Sequence, residues 1–115
     1  MGGETPVRFV VNIGHSVRIP VGEGREYKVG NMSIAVFRTR DGGVYATQAS
    51  GPQNGGSLAN SIVGRHRIAS SSHGYSFDVR TGMGYGPNCG SIRTYPAAVD
   101  PRGEIFVSLE SDAPH

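Results

Sequence analysis

The sequence has one cysteine, no tryptophan and only 17% charged residues across 115 positions. A single thiol, Cys89, excludes an internal disulfide and suits a reducing compartment. No apolar run approaches membrane-spanning length, and the opening MGGETPVRFV has no apolar signal region. The expectation is a cytoplasmic protein without a membrane segment. Basic residues are also sparse, with a formal net charge of +2 and no long Lys or Arg block. Nucleic-acid recognition wants a concentrated basic stripe, so a nucleic-acid partner is not expected. The densest basic stretch, Arg65-His66-Arg67, reads as a solvated strand end. Helical periodicity is missing too: no window of ten or more residues repeats apolar positions at helical spacing.

What is present is strand pattern and turn chemistry. Glycine is high at 18 residues with 7 prolines and no three-residue period, which points to a turn-rich all-β chain. Val7 to Val11 is a β-branched and aromatic run ending at Asn12. Val17-Arg18-Ile19 reads as a short extended piece stopped by Pro20. Arg25–Val29 and Met32–Arg38 face each other across Gly30-Asn31, a hairpin signal. Ile34, Ala35, Val36 and Phe37 form a strand apolar on both faces. Asp41-Gly42-Gly43 turns the chain into Val44–Thr47. Near the end, Ile92–Pro96 and Glu104–Leu109 flank Asp100-Pro101-Arg102-Gly103, which suits a type I turn. Ile105, Val107 and Leu109 alternate with Glu104 and Ser108.

Between Ser50 and Asn88 the pattern loosens and glycines cluster at 51, 55, 56, 64, 74, 82, 84 and 86. Long irregular stretches in small β-domains tend to carry function. The stretch holds Ala49-Ser50-Gly51-Pro52-Gln53-Asn54-Gly55-Gly56-Ser57-Leu58, then Ala69-Ser70-Ser71-Ser72-His73-Gly74-Tyr75-Ser76-Phe77-Asp78. These two segments resemble the two ligand loops of the Rieske family, whose pattern is Cys-x-His followed by Cys-x-x-His. In that family the two Cys bind one iron of a [2Fe–2S] cluster and the two His bind the other. Aligned to that pattern, Gly51 stands at the first Cys, Gln53 at the first His and Ser70 at the second Cys. His73 is the one ligand that survives.

The resemblance extends along nearly the whole chain. Ile19-Pro20-Val21-Gly22-Glu23-Gly24 is similar to the opening turn of Rieske ferredoxins and of the small subunit of assimilatory nitrite reductase. Ala35–Arg38 and Gly43–Ala46 resemble the hairpin before the first loop. Phe77–Gly82, Arg93–Pro96 and Gly103–Ile105 resemble the segments that follow the second. The implied fold is all-β: one Rieske-like antiparallel β-sandwich over residues 1–115, with a former cluster-binding subdomain inserted at 49–88.

The departures carry chemistry. Glycine offers no side chain, a serine hydroxyl is not ionised near neutral pH, and a glutamine amide is a weak iron ligand. No metal and no cofactor are therefore expected. The emptied loops either collapse through Gln53, Asn54 and the serines or leave a polar-mouthed pocket. Pro52, Asn54, Ser71, Tyr85 and Asn88 are the expected pocket or partner contacts.

Three functions follow from the resemblance. One is an accessory subunit that docks on a larger oxidoreductase of the nitrite-reductase type through the old cluster tip. Another is a cofactor-independent enzyme that shapes a small-molecule substrate for cyclisation or isomerisation, with His73, Ser70, Ser72 and Tyr85 as candidate catalytic groups. The third is a residual mononuclear metal or redox role for His73 with His66 and His15.

Overall fold

The computed structural model describes residues 7–51, 56–70, 75–86 and 90–111. Among these residues ten strands appear: β1 (Val7–His15), β2 (Glu23–Val29), β3 (Met32–Arg38), β4 (Val44–Gln48), β5 (Ile62–Val63), β6 (Arg67–Ala69), β7 (Ser76–Asp78), β8 (Thr94–Tyr95), β9 (Ala97–Val99) and β10 (Glu104–Ser111). Helical structure among the described residues is limited to two 3-10 turns, Ser16–Arg18 and Leu58–Asn60. None of it is long and apolar enough to cross a membrane. The strands form three antiparallel sheets: β1-β10-β9, then β2-β3-β4-β8, and a small sheet β5-β6-β7.

The apolar run on β3 explains how these sheets meet. Side chains alternate across a strand, so consecutive apolar residues supply two faces at once. Ile34, Ala35, Val36 and Phe37 are all fully buried. Ile34 and Val36 face the first sheet, in a core with Ile19, Ala46, Ile105, Val107 and Leu109. Ala35 and Phe37 face the other way, in a second core with Leu58, Ala59, Val63, Ile68, Phe77, Val79 and Ile92. The second sheet is thus a middle layer, and Phe37 is its plug against the small sheet.

Turn chemistry sets the registers. β2 and β3 pair from Glu23↔Arg38 to Val29↔Met32, with Gly30 at φ 60° in the connection. At the Asp100 turn, Gly103 N–H donates to Asp100 C=O at 2.9 Å, and the Asp100 carboxylate accepts from the N–H groups of Arg102 and Glu104. That turn delivers β10 with Ile105, Val107 and Leu109 facing inward.

Three readings from sequence need correction. The Val17-Arg18-Ile19 piece is not extended throughout. Ser16–Arg18 is a 3-10 turn, because the His15 imidazole accepts from Val17 N–H at 3.0 Å and caps it. Only Ile19 returns to extended backbone and enters the core; Val17 stays exposed. β1 does not stop at Asn12 but continues to His15 through a bulge between Asn12 and Gly14. The Ile92–Pro96 run is a strand only at Thr94–Tyr95. Ile92 leaves the second sheet because its N–H donates to Gly82 C=O at 2.7 Å and its side chain joins the core under the small sheet.

Candidate functional site

β4 runs into the first loop, and its ends are tied across the base. Leu58 N–H donates to Ala49 C=O at 2.8 Å, Ser50 bridges Ser57, and Gly51 N–H donates to Gly56 C=O at 2.9 Å. The second loop leaves β6 and returns to β7. Its neck is closed by Ser70 N–H donating to Tyr75 C=O at 2.7 Å. A third turn beside them closes where Gly84 N–H donates to Gly90 C=O at 2.9 Å. Tyr85 N–H donates to Ser76 C=O, so this third turn and the second loop leave the same end of the small sheet.

Of the candidate residues, Gly51 and Ser70 lie at these necks and Tyr85 lies beside them. Pro52, Gln53, Asn54, Ser71, Ser72, His73 and Asn88 fall outside the described residues. The two other histidines of the mononuclear metal reading, His15 and His66, are engaged elsewhere. His15 caps the 3-10 turn. His66 Nε2 lies 2.9 Å from Asp41 Oδ2. The Asp41 carboxyl is held below its ordinary value, first by the Thr39 hydroxyl, then by Gly43 N–H and with help from His66. Among the described residues, no group of three or more His, Cys, Asp or Glu side chains gathers to hold a metal.

What sequence reading missed is a cross-strand cluster on the small sheet. Register places Arg67 directly opposite Asp78. Asp78 N–H donates to Met83 C=O, which brings the Met83–Tyr85 segment alongside β7. The Arg67 guanidinium lies over the Tyr85 ring, 3.8 Å from its centroid. The Tyr85 hydroxyl makes a long hydrogen bond, 3.4 Å, to Asp78 Oδ2. Arg80 grips the same carboxylate, with Nη2 on Oδ2 at 2.9 Å, Nε on Oδ1 at 3.2 Å and its own N–H on Oδ1 at 2.8 Å. The Arg65-His66-Arg67 stretch therefore does more than face solvent: its arms reach Asp41 and Tyr85. The available signal was the Phe77-Asp78-Val79-Arg80 spacing, which suits an Asp that accepts from the backbone two residues on.

The Arg80 hydrogen bond is the main reason that the Asp78 carboxyl is lowered to about 2, against the opposing effect of burial. The folded value lies below the unfolded one. The group therefore adds stability above pH ~4 that is lost as pH falls toward 2. Because Arg80 is half exposed, solvent screening trims this to about 1–2 kcal/mol. In urea titrations between pH 5 and 2, Asp78→Asn should lack that share of the acid-induced loss. Equal pH slopes in both proteins would contradict it.

The donor set does not fit a [2Fe–2S] cluster of the Rieske kind. The resemblance puts Gly51, with no side chain, and Ser70, with a hydroxyl, at the two thiolate positions. The whole chain has one cysteine where the family needs two on one iron.

The Rieske-like [2Fe-2S] domain family model matches residues 10–108, so the chain belongs to that family. No curated protein matches the sequence. Among solved structures, it is similar to a protein assigned as the NADH-dependent nitrite reductase small subunit of Mycobacterium tuberculosis. The two share 24% identity over 90% of this chain and 96% of that one, with a TM-score of 0.81. The ferredoxin of carbazole 1,9a-dioxygenase from Nocardioides aromaticivorans IC177 shares 26% identity over 96% and 99% of the two chains, with a TM-score of 0.73. The E. coli protein NirD shares 19% identity over 90% and 98%, with a TM-score of 0.78.

Proposed function

We propose that this chain is a cluster-free accessory subunit that docks on a larger oxidoreductase and does not itself carry electrons. One observation carries the reading. The family model matches residues 10–108, while the chain holds one cysteine for the family's two thiolates; the resemblance puts Gly51 and Ser70 at those positions, and their backbone N–H groups close the loop necks. A fold kept without its redox centre retains surface and shape, and function follows the site and not the fold. The similar structures support the partner class, since they include a protein assigned as a reductase small subunit and the ferredoxin of a dioxygenase. The partner is then an oxidoreductase subunit, in the reducing compartment that the lone thiol suits.

The test is purification of the tagged full chain from its native host, followed by mass spectrometry of what accompanies it. A redox enzyme subunit in near-equal amount, with that enzyme's activity falling when the chain is deleted, is the expected outcome. A chain that purifies alone and turns over a small molecule by itself would replace this reading with the cofactor-independent enzyme.

A further inference from the structure

Side chains on the small sheet alternate between the core and the outside. Val63, Ile68 and Phe77 are buried and register with one another across β5, β6 and β7. Their neighbours must therefore point outward. Ile62 registers with Ala69, and Ala69 with Ser76. Gly84 bridges the inward Phe77, so Met83 and Tyr85, on either side of it, share the outer face. Three large apolar side chains thus stand exposed on one small face: Ile62 at 65%, Met83 at 65% and Tyr85 at 39%. Arg67 lies among them, stacked on Tyr85. Arg80 adjoins on Asp78, and Arg65 follows in the β5–β6 turn. Asp78 is the one acid on this stretch, and Arg80 already engages it. The face therefore carries Arg67 between flanking apolar side chains, with Ile62 on the β5 side and Met83 and Tyr85 beyond β7.

We infer that the outer face of the small sheet, which carries Ile62, Arg67, Met83 and Tyr85, is the surface that takes up an acidic patch of the partner protein. This deepens the docking reading above and rests on it. Tyr, Arg and Met are enriched at protein interfaces, and the stacked Arg67–Tyr85 pair is held in place before any partner arrives. Arginine presents a planar fork that matches carboxylates two bonds at a time. The complementary occupant is a protein surface that offers Asp or Glu side chains between apolar ones. Charge of this kind chiefly sets encounter rate and register, so binding should weaken with salt.

The experiment places the photo-crosslinking residue p-benzoylphenylalanine at position 62 or 83 of the full chain in its native host. Positions 10 and 99, which carry exposed valines on the first sheet, serve as comparison. Crosslinks from 62 and 83 to one oxidoreductase segment containing Asp or Glu are expected. Binding to that same purified partner should fall at least tenfold in Arg67→Glu, and also in Met83→Asp. The Met83 side chain is exposed and takes no part in the hydrogen bonds to the Asp78 carboxylate, so its variant keeps the test valid if Arg67→Glu fails to fold, as judged by circular dichroism. If the oxidoreductase is captured but crosslinks arise only from positions 10 or 99, this surface is wrong and the subunit reading stands. If positions 62 and 83 crosslink only to a second copy of the chain and no oxidoreductase is captured, the subunit reading fails and the inference falls with it.

Discussion

Gly82→Ala should lower the stability of the folded chain by about 3 kcal/mol or more. Gly82 has φ 82°, a left-handed conformation that costs an L residue roughly 1–2 kcal/mol. Steric conflict adds to this, because a Cβ there would sit 2.0 Å from the Ile92 carbonyl oxygen, so backbone must move. Two hydrogen bonds are at stake in that movement. Gly82 N–H donates to Asp78 C=O at 2.6 Å, and Ile92 N–H donates to Gly82 C=O at 2.7 Å. Each such bond contributes about 1 kcal/mol net. Gly42→Ala is the internal comparison, since Gly42 has φ 90° but nothing within 4 Å of the new methyl group. That variant should lose only the conformational share, about 1 kcal/mol. Urea unfolding midpoints of the two variants check the ordering. Equal losses would show that the Gly82–Ile92 approach is not a constraint.

Phe37→Ala should cost about 3–5 kcal/mol, the range for removing a fully buried aromatic side chain. The ring is fully buried and sits in the core that joins the middle layer to the small sheet. Gly24 registers with Phe37, and a Cβ on Gly24 would come within 2.6 Å of the ring, so the ring lies against bare backbone there. Few neighbours can move into the void, which places the cost toward the upper end. The damage should be lopsided. Val36 serves the opposite core, which does not contain Phe37. Amide exchange at Ile68 and Phe77 should therefore accelerate more than at Ile105 and Val107. Uniform acceleration would mean that the two cores open as one.

The parts of the fold that were legible in sequence are those written locally. The consecutive apolar residues 34–37 announced a strand buried on both faces, and the alternation at 105, 107 and 109 announced one buried face. Gly30-Asn31 and Asp100–Gly103 fixed their turns with their own backbone chemistry. The parts that were not legible depend on distant partners. No local pattern says that His15 will cap the turn after it, nor that Ile92 will leave its sheet for Gly82. The Arg67–Tyr85–Asp78 cluster has the same origin, since it exists only once strand register sets residues 67, 78 and 83 side by side. The assignment of Gly51 and Ser70 to the two thiolate positions rests on the order of the flanking segments alone and stays what the resemblance implies. The structure places the backbone N–H groups of Gly51 and Ser70 at the loop necks.

The central claim is chemical: one cysteine per chain cannot supply the thiolate pair that grips an iron. Its most direct test is iron and acid-labile sulfide analysis of the full chain, produced with both supplied in excess, together with its visible spectrum and its paramagnetic resonance after reduction. Colourless protein, free of labile sulfide and silent on reduction, is the expected result. A red-brown protein with two irons and two sulfides per chain and a Rieske-type signal would contradict it.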